Sequence, residues 1–299
     1  MTAGLLLEQG FNGIQFGLVL FLMAVGVTLA FGVMNVINLA HGSMLMLGAY
    51  LIAASAAKTP SFLLAFVMAM LAVAVLSALL ELVIMRPLYG RGHLDHVLAT
   101  FGVSIALNEA VIMIWGREAV FTPGPSWLDG SMRLAPGLDY PVYRLAITAV
   151  AIAAGSALWL MLAKTRLGMQ IRAGAEKREV IAGLGVNIRL LFTVVFVISA
   201  MLAALGGVML GPLLAVQSGM GDPLLIVALA VVVIGGVGSL RGALVASLAV
   251  GLIDTYGRMF WPQLLGPTAG NIMANAAVYV LMAMVIAWRP AGLFGRHAH

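Results

Sequence analysis

The sequence predicts an all-α fold: a polytopic transmembrane helix bundle of about eight to ten spans, some of them broken or re-entrant. Three observations lead there. Apolar residues make up 63% of the 299 and charged residues only 9%, with a mean hydropathy of +1.09. The charges are clumped, so that 22 uncharged residues separate Lys58 from Glu81 and 32 separate Arg189 from Asp222. The basic residues, finally, alternate between dense and sparse loops. A hydrocarbon layer roughly 30 Å thick is crossed by about 20 residues of helix, so the uncharged runs match a bilayer. Such a chain is expected to move something across a membrane or to signal through it.

Apolar runs bounded by charge, Pro or Gly place spans near 11–33, 40–57, 62–85, 97–114, 143–163, 191–210, 222–238, 242–258 and 268–288. The pairs 11–33/40–57 and 222–238/242–258 are interrupted by Gly, Asn or Arg, and are where bent or re-entrant helices are expected. The first ten residues contain Glu8 and no Lys or Arg. They lack the positive start of a cleavable signal, so the first apolar segment is expected to remain as a span. Small residues cluster at Ala203, Ala204, Gly206, Gly207 and Gly211, as close packing of helices in lipid requires.

Orientation follows from the basic residues. With the 164–190 loop in the cytoplasm, alternation puts Lys164, Arg166, Arg172, Lys177, Arg178, Arg189, Arg86, Arg91, Arg241, Arg289 and Arg296 inside. Lys58, Arg117, Arg133, Arg144 and Arg258 fall outside. This bias sets the N-terminus outside and the C-terminus inside. The domain expectation is a single transmembrane permease domain over 1–299, with a cytoplasmic loop or helix at 164–190 and an exterior loop at 115–142. The exterior stretch is rich in Pro and Gly and carries Trp127 and Tyr140, with Tyr143 just beyond it. It reads either as a surface for an external partner or as a connector with interfacial aromatics.

Composition removes several functions. The chain has no cysteine, which excludes disulfides, thiolate metal sites and a cysteine nucleophile. Of five histidines, His297 and His299 belong to the terminal tail, and no second His or carboxylate stands at metal-ligand spacing from His41. The net charge of +5 carries topology information, because no basic cluster alternates with aromatics as a nucleic-acid surface would. The loop Gly235-Gly236-Val237-Gly238-Ser239-Leu240-Arg241-Gly242 lacks the Lys of a phosphate-binding loop. It reads as a tight helix–loop–helix at the cytoplasmic face, with glycines allowing close backbone approach. A short echo links 41–49 with 241–249, each beginning at a basic-Gly pair.

The run Asn35-Val36-Ile37-Asn38-Leu39-Ala40-His41-Gly42-Ser43 interrupts an apolar region. Polar side chains at membrane depth must find partners. Either a broken helix lines a cavity and marks a substrate site, or these residues cap helix ends and bond neighbouring helices. On the first reading Asn35, Asn38, His41 and Ser43 form the polar part of a substrate pathway. Acids within spans are candidates for ion coupling. Glu81 has Arg86 five residues away to pair with, while Glu109 and Asp254 stand apart. In the 164–190 loop, Met169, Ala173, Val180 and Leu184 recur with charges between, which predicts a short amphipathic helix ended by Gly183 and Gly185. Such a helix lies in a partner's cleft or on anionic lipid, or else the loop is simply a charged determinant of topology.

Four segments together resemble a known family. They are Ile37-Asn38-Leu39-Ala40-His41-Gly42-Ser43, Thr165-Arg166-Leu167-Gly168-Met169 leading to Arg172-Ala173, the Gly235–Gly242 loop, and Arg289-Pro290-Ala291-Gly292-Leu293-Phe294-Gly295. In order and spacing, over essentially the whole chain, they resemble the inner-membrane permeases of branched-chain amino-acid ABC importers, of the LivH type. Permeases for urea and short amides share much of the pattern. The resemblance implies a non-catalytic, multi-pass subunit of the bacterial inner membrane, with no cofactor of its own. It also implies as partners a second permease, two cytoplasmic ATPases that use ATP and Mg, and an external substrate-binding protein. It places ATPase coupling on Arg172, Ala175, Glu176, Lys177, Arg178, Glu179, Gly183 and Gly185, where Ala175-Glu176 and the following glycines stand for a loose Glu-Ala-Ala…Gly pattern. The competing expectations are an ion-coupled secondary carrier using Glu109 or Asp254, and an intramembrane enzyme, for which no G-x-S-x-G exists.

Overall fold

The computed structural model describes residues 3–135 and 138–295. Arg296, counted above with the inner charges, lies outside the described residues, as do His297 and His299. The chain forms α1 (Ala3–Met34), α2 (His41–Ala56), α3 (Phe62–Leu80), α4 (His93–Trp115), a hairpin of β1 (Ser131–Ala135) and β2 (Leu138–Pro141), α5 (Val142–Lys164), α6 (Arg166–Glu176), α7 (Arg178–Gly183), α8 (Ile188–Leu210), α9 (Gly221–Gly235), α10 (Leu240–Leu265) and α11 (Pro267–Trp288). α3 runs on through a π-turn, Glu81–Met85, and a 3-10 turn, Arg86–Leu88.

Among the described residues seven helices are long and apolar enough to cross a membrane. α2 and α9 are shorter, with 16 and 15 residues. At 1.5 Å per residue they reach about 24 and 22 Å, less than a roughly 30 Å hydrocarbon layer. The sequence counted 40–57 and 222–238 as spans; the structure makes them part-length helices within the two pairs flagged as broken. Their apolar runs include flanking turns that hydropathy cannot tell from helix.

The chain divides into two compact units. One comprises Met1–Val25, Gly124–Ala153 and Ile226–His299; the other comprises Gly26–Pro123 and Ala154–Leu225.

In the first unit α10 packs along α11, and the Tyr256 hydroxyl donates to the Leu6 carbonyl of α1 at 2.9 Å. The Gly235–Gly242 loop is as tight as expected, with Gly235 and Gly242 in backbone contact. The final carbonyls of α9, which no turn of helix follows, accept from the C-terminal segment. Leu293 N donates to Ile234 O at 2.9 Å and Phe294 N to Gly235 O at 3.0 Å. The 115–142 stretch, expected as an exterior loop, contains the antiparallel hairpin, paired Ser131↔Pro141 through Ala135↔Leu138, with Arg133 and Asp139 in an exposed ion pair at 3.2 Å. Tyr140 and Arg144 both donate to Asn12 Oδ1, at 3.0 and 2.9 Å. Burial pushes the Tyr140 phenol above its ordinary pKa, against the opposing pull of Arg144.

In the second unit α2 is the central helix, buried along most of its length between α8, α3 and α4. The small residues do the expected packing: Gly207 meets the Leu45 backbone, and Gly48 meets Ala204. The N-termini of the two part-length helices meet, Gly42 against Gly221, where either side chain would collide with the other's backbone.

Candidate functional site

The polar interruption between α1 and α2 is a real break. Asn35 adopts a left-handed conformation with φ +54°, one that Asn tolerates better than most residues. Asn38 then closes an Asx-type turn, its Oδ1 accepting from Ala40 N at 3.0 Å, and His41 opens α2. The structure separates the four sequence candidates. Asn35 is exposed, and His41 is buried in the space left by Gly26. Asn38 and Ser43 face α4.

What they face is a polar stripe that sequence reading missed. His96, Thr100, Ser104 and Asn108 recur every four residues, which places them on one side of α4. Thr100 Oγ1 accepts from Leu39 N at 3.1 Å, so the broken backbone finds a partner in the neighbouring helix. The Ser43 and Ser104 hydroxyls bond at 2.9 Å. Asn108 Nδ2 donates to Asp222 Oδ2 in the first turn of α9 at 3.2 Å, and Ser218 Oγ donates to Asn108 O at 3.1 Å. His96 Nε2 and Asn108 Oδ1 are buried and have no partner. Four-residue spacing was the available signal; with Ala and Gly interspersed, it does not register as amphipathic. Beside the stripe, Asn38 and Thr100 share a small pocket with Ala40, Leu80, Ile84, Met85, Val103 and Phe196. Its walls are apolar, because the Asn38 and Thr100 polar atoms are turned to the Ala40 and Leu39 backbone N–H groups.

The acids are accounted for differently. Glu81 is fully buried and held by Arg86, Tyr89 and Thr193. Asp254 pairs with Arg258 at 2.8 Å, one turn on along α10, and Glu109 is exposed.

The 164–190 segment forms two helices, not one. Thr165 caps α6, its hydroxyl accepting from Gly168 N at 3.1 Å, and the chain breaks at Lys177 before α7. α7 ends at Gly183, and Gly185 at φ +83° supplies the left-handed turn expected there. The predicted apolar face must be corrected. Met169 is 62% exposed and Leu184 79%, and Ala173 and Val180 are exposed too. The buried face is Gly168, Ile171, Gly174 and Ile181. Hydrophobic periodicity overlooked it because two of its members are glycines and the break at Lys177 resets the helical phase. Arg172, Ala175, Glu176, Lys177, Glu179, Gly183 and Gly185 are exposed; the Arg178 side chain lies outside the described residues.

Seven long apolar helices, with a polar seam bonded between the α1–α2 break, α2 and α4, define a multi-pass helical membrane protein. The chain belongs to the branched-chain amino acid transport system / permease component family, whose model matches residues 10–288. It is 28% identical to the high-affinity branched-chain amino acid transport system permease protein BraD of Pseudomonas aeruginosa, over 97% of this chain and 96% of that protein. Identity and coverage are the same for the LivH permease protein of Escherichia coli K12. The solved structure of PsaBC from Streptococcus pneumoniae in complex with Fab is similar in fold, with a TM-score of 0.51 and 13% identity over 92% of this chain and 90% of that one.

Proposed function

We propose that this chain is a membrane-spanning permease subunit of an ATP-driven importer for branched-chain amino acids. In this reading it sits in the bacterial inner membrane with the N-terminus outside. The α6–α7 elbow faces the cytoplasm, and the 115–142 stretch faces an external binding protein. A second permease completes the translocation unit, and two cytoplasmic ATPases hydrolyse ATP with Mg; this chain contributes no catalytic group. The BraD and LivH relatives, named for branched-chain amino acid transport, support the substrate class.

The observation that carries the reading is the elbow between α5 and α8. Met169, Val180 and Leu184 are exposed there beside the charges of Arg172, Lys177 and Glu179. An apolar knob rimmed by charge is the chemistry of a protein contact. An ATPase dimer that closes on ATP and grips this knob pushes α6 and α7, whose buried face rests on α8. ATP and substrate are then coupled through the two global states they select. Along the pathway, Asn38 and Ser43 with the α4 stripe supply the few polar groups that an aliphatic zwitterion requires among apolar walls. The test is affinity purification of the tagged chain from membranes, with identification of its companions and assay of leucine uptake. Recovery of an ATPase and a second permease supports the reading; isolation of the chain alone, with uptake driven by an ion gradient, overturns it.

A further inference from the structure

The best-bonded buried charge in the described chain lies away from the polar stripe. Glu81 is 0% exposed, and both of its oxygens are engaged. Oε1 accepts from the Tyr89 hydroxyl at 2.8 Å and from Arg86 Nε at 3.4 Å. Oε2 accepts from Arg86 Nη2 at 3.1 Å and from the Thr193 hydroxyl at 2.7 Å, and Arg86 Nη2 also reaches Thr193 Oγ1 at 2.7 Å. A buried carboxylate is tolerated only when paired and bonded in this way. It is an expensive means of fastening two helices that apolar packing would hold as well, so its presence asks for a purpose.

Its position gives one. Thr193 lies in the second turn of α8, the helix that α6 and α7 lead into and rest against. Next to Thr193 on α8, Phe192 meets the Tyr89 ring edge-on at 5.0 Å, and Phe196, one turn beyond Phe192, lines the small pocket. Glu81 itself opens the π-turn of α3, and that turn supplies Ile84 and Met85 to the wall of the pocket that Asn38 and Thr100 also line. π-turns inside α-helices concentrate at functional sites, since their extra residue leaves the local register able to shift. One contiguous set of contacts therefore runs from the elbow through the foot of α8 to Glu81, the π-turn and the pocket.

We propose that Glu81 is a positioning residue for transport. With Arg86, Tyr89 and Thr193 it forms a clamp that makes the π-turn of α3 follow the foot of α8, so that movement of the elbow resets the pocket wall around Asn38. This rests on the permease reading above and adds to it the residue that transmits the push. The clamp binds no substrate and no ATP. Its loss leaves ATP hydrolysis running while transport stops following it.

The experiment uses the complete importer in proteoliposomes, with ATP hydrolysis and leucine uptake measured in the same vesicles and expressed as leucine moved per ATP. Glu81→Gln removes the charge, and Thr193→Val removes only the tie to α8 while leaving the Glu81–Arg86 pair. Both variants are expected to hydrolyse ATP near the wild-type rate while uptake per ATP falls roughly tenfold, the size that follows from losing a charge-assisted hydrogen bond. Thr193→Ser, which keeps the hydroxyl, is expected to restore the ratio. An unchanged ratio in an assembled Thr193→Val importer overturns the proposal, as does a proportional loss of both activities in Thr193→Val. A wild-type importer that moves no leucine counts instead against the permease reading, so the two failures are distinct.

Discussion

The crossing of the two part-length helices sets a quantitative test of the fold. Gly42, in the first turn of α2, has no side chain because the Gly221 backbone of α9 occupies that space. A Cβ on Gly42 would stand 2.7 Å from the Gly221 carbonyl oxygen and 3.2 Å from Leu225 Cβ. Ordinary van der Waals contact begins at 3.4 Å, so Gly42→Ala forces the helix ends apart by about 0.7 Å. The obstacle is backbone, which has no rotamer to change, and α2 is packed on its other sides by α8, α3 and α4. Overpacking of this kind costs about 1–3 kcal/mol. For a chain of this size that corresponds to a melting temperature lower by roughly 2–5 °C. The assay is thermal unfolding of the purified chain in detergent, followed by intrinsic tryptophan fluorescence. Gly32→Ala is the control: it is helical, has no atom within 4 Å of the added Cβ, and should leave the melt unchanged or slightly higher. If Gly42→Ala melted with the wild type, the meeting of the two helix N-termini would be wrong.

Other outcomes follow from the site. Met169→Asp and Leu184→Asp should abolish capture of the ATPase without moving the melting temperature, because both side chains are exposed; a lower melt with normal capture would contradict the elbow's role. Asn38→Ala should slow leucine uptake while Asn35→Gly, which keeps the left-handed backbone, leaves it unchanged, since Asn38 and not Asn35 lines the pocket beside Thr100; equal rates for both would remove Asn38 from the pathway. A double-mutant cycle of Ser43→Ala and Ser104→Ala should give a coupling of about 0.6 kcal/mol in thermal stability, the usual worth of a hydrogen bond between membrane helices; strict additivity would deny the bond. The absence of cysteine makes topology simple to read. A cysteine at Glu118 should react with an impermeant maleimide on intact cells and one at Lys177 only after lysis, with the reverse pattern overturning the orientation.

Much of the fold was legible because lipid imposes a simple rule. Each apolar run placed in the sequence contains a helix, and within the Asn35–Ser43 interruption residues 35–40 form a break whose backbone bonds to α4. The part-length helices were visible only as doubtful pairs, since hydropathy counts the turns beside α2 and α9 as if they were helix. Within the site the sequence singled out Asn38 and Ser43 but grouped them with Asn35 and His41, because adjacency in the chain does not reveal which way each side chain points across a turn. Their partners on α4 were hidden for a related reason. Thr100 and Ser104 are unremarkable singly, and only the structure sets them against the broken loop. The single amphipathic helix expected at 164–190 became two helices with the opposite face buried. Its buried face is made partly of Gly168 and Gly174, where helices approach closely, and its large apolar residues point outward. Glu81 was expected to pair with Arg86 and does, but the tie to Thr193, more than a hundred residues away, leaves no trace in local spacing.

The central claim is that transport here depends on a nucleotide-hydrolysing partner acting through the elbow. The most direct measurement is leucine accumulation in proteoliposomes that hold either this chain alone or the chain with its partner permease, ATPases and binding protein, with and without ATP. The account predicts accumulation only in the complete assembly with ATP, lost again when Leu184→Asp is introduced. Accumulation by the single polypeptide under an ion gradient would contradict it.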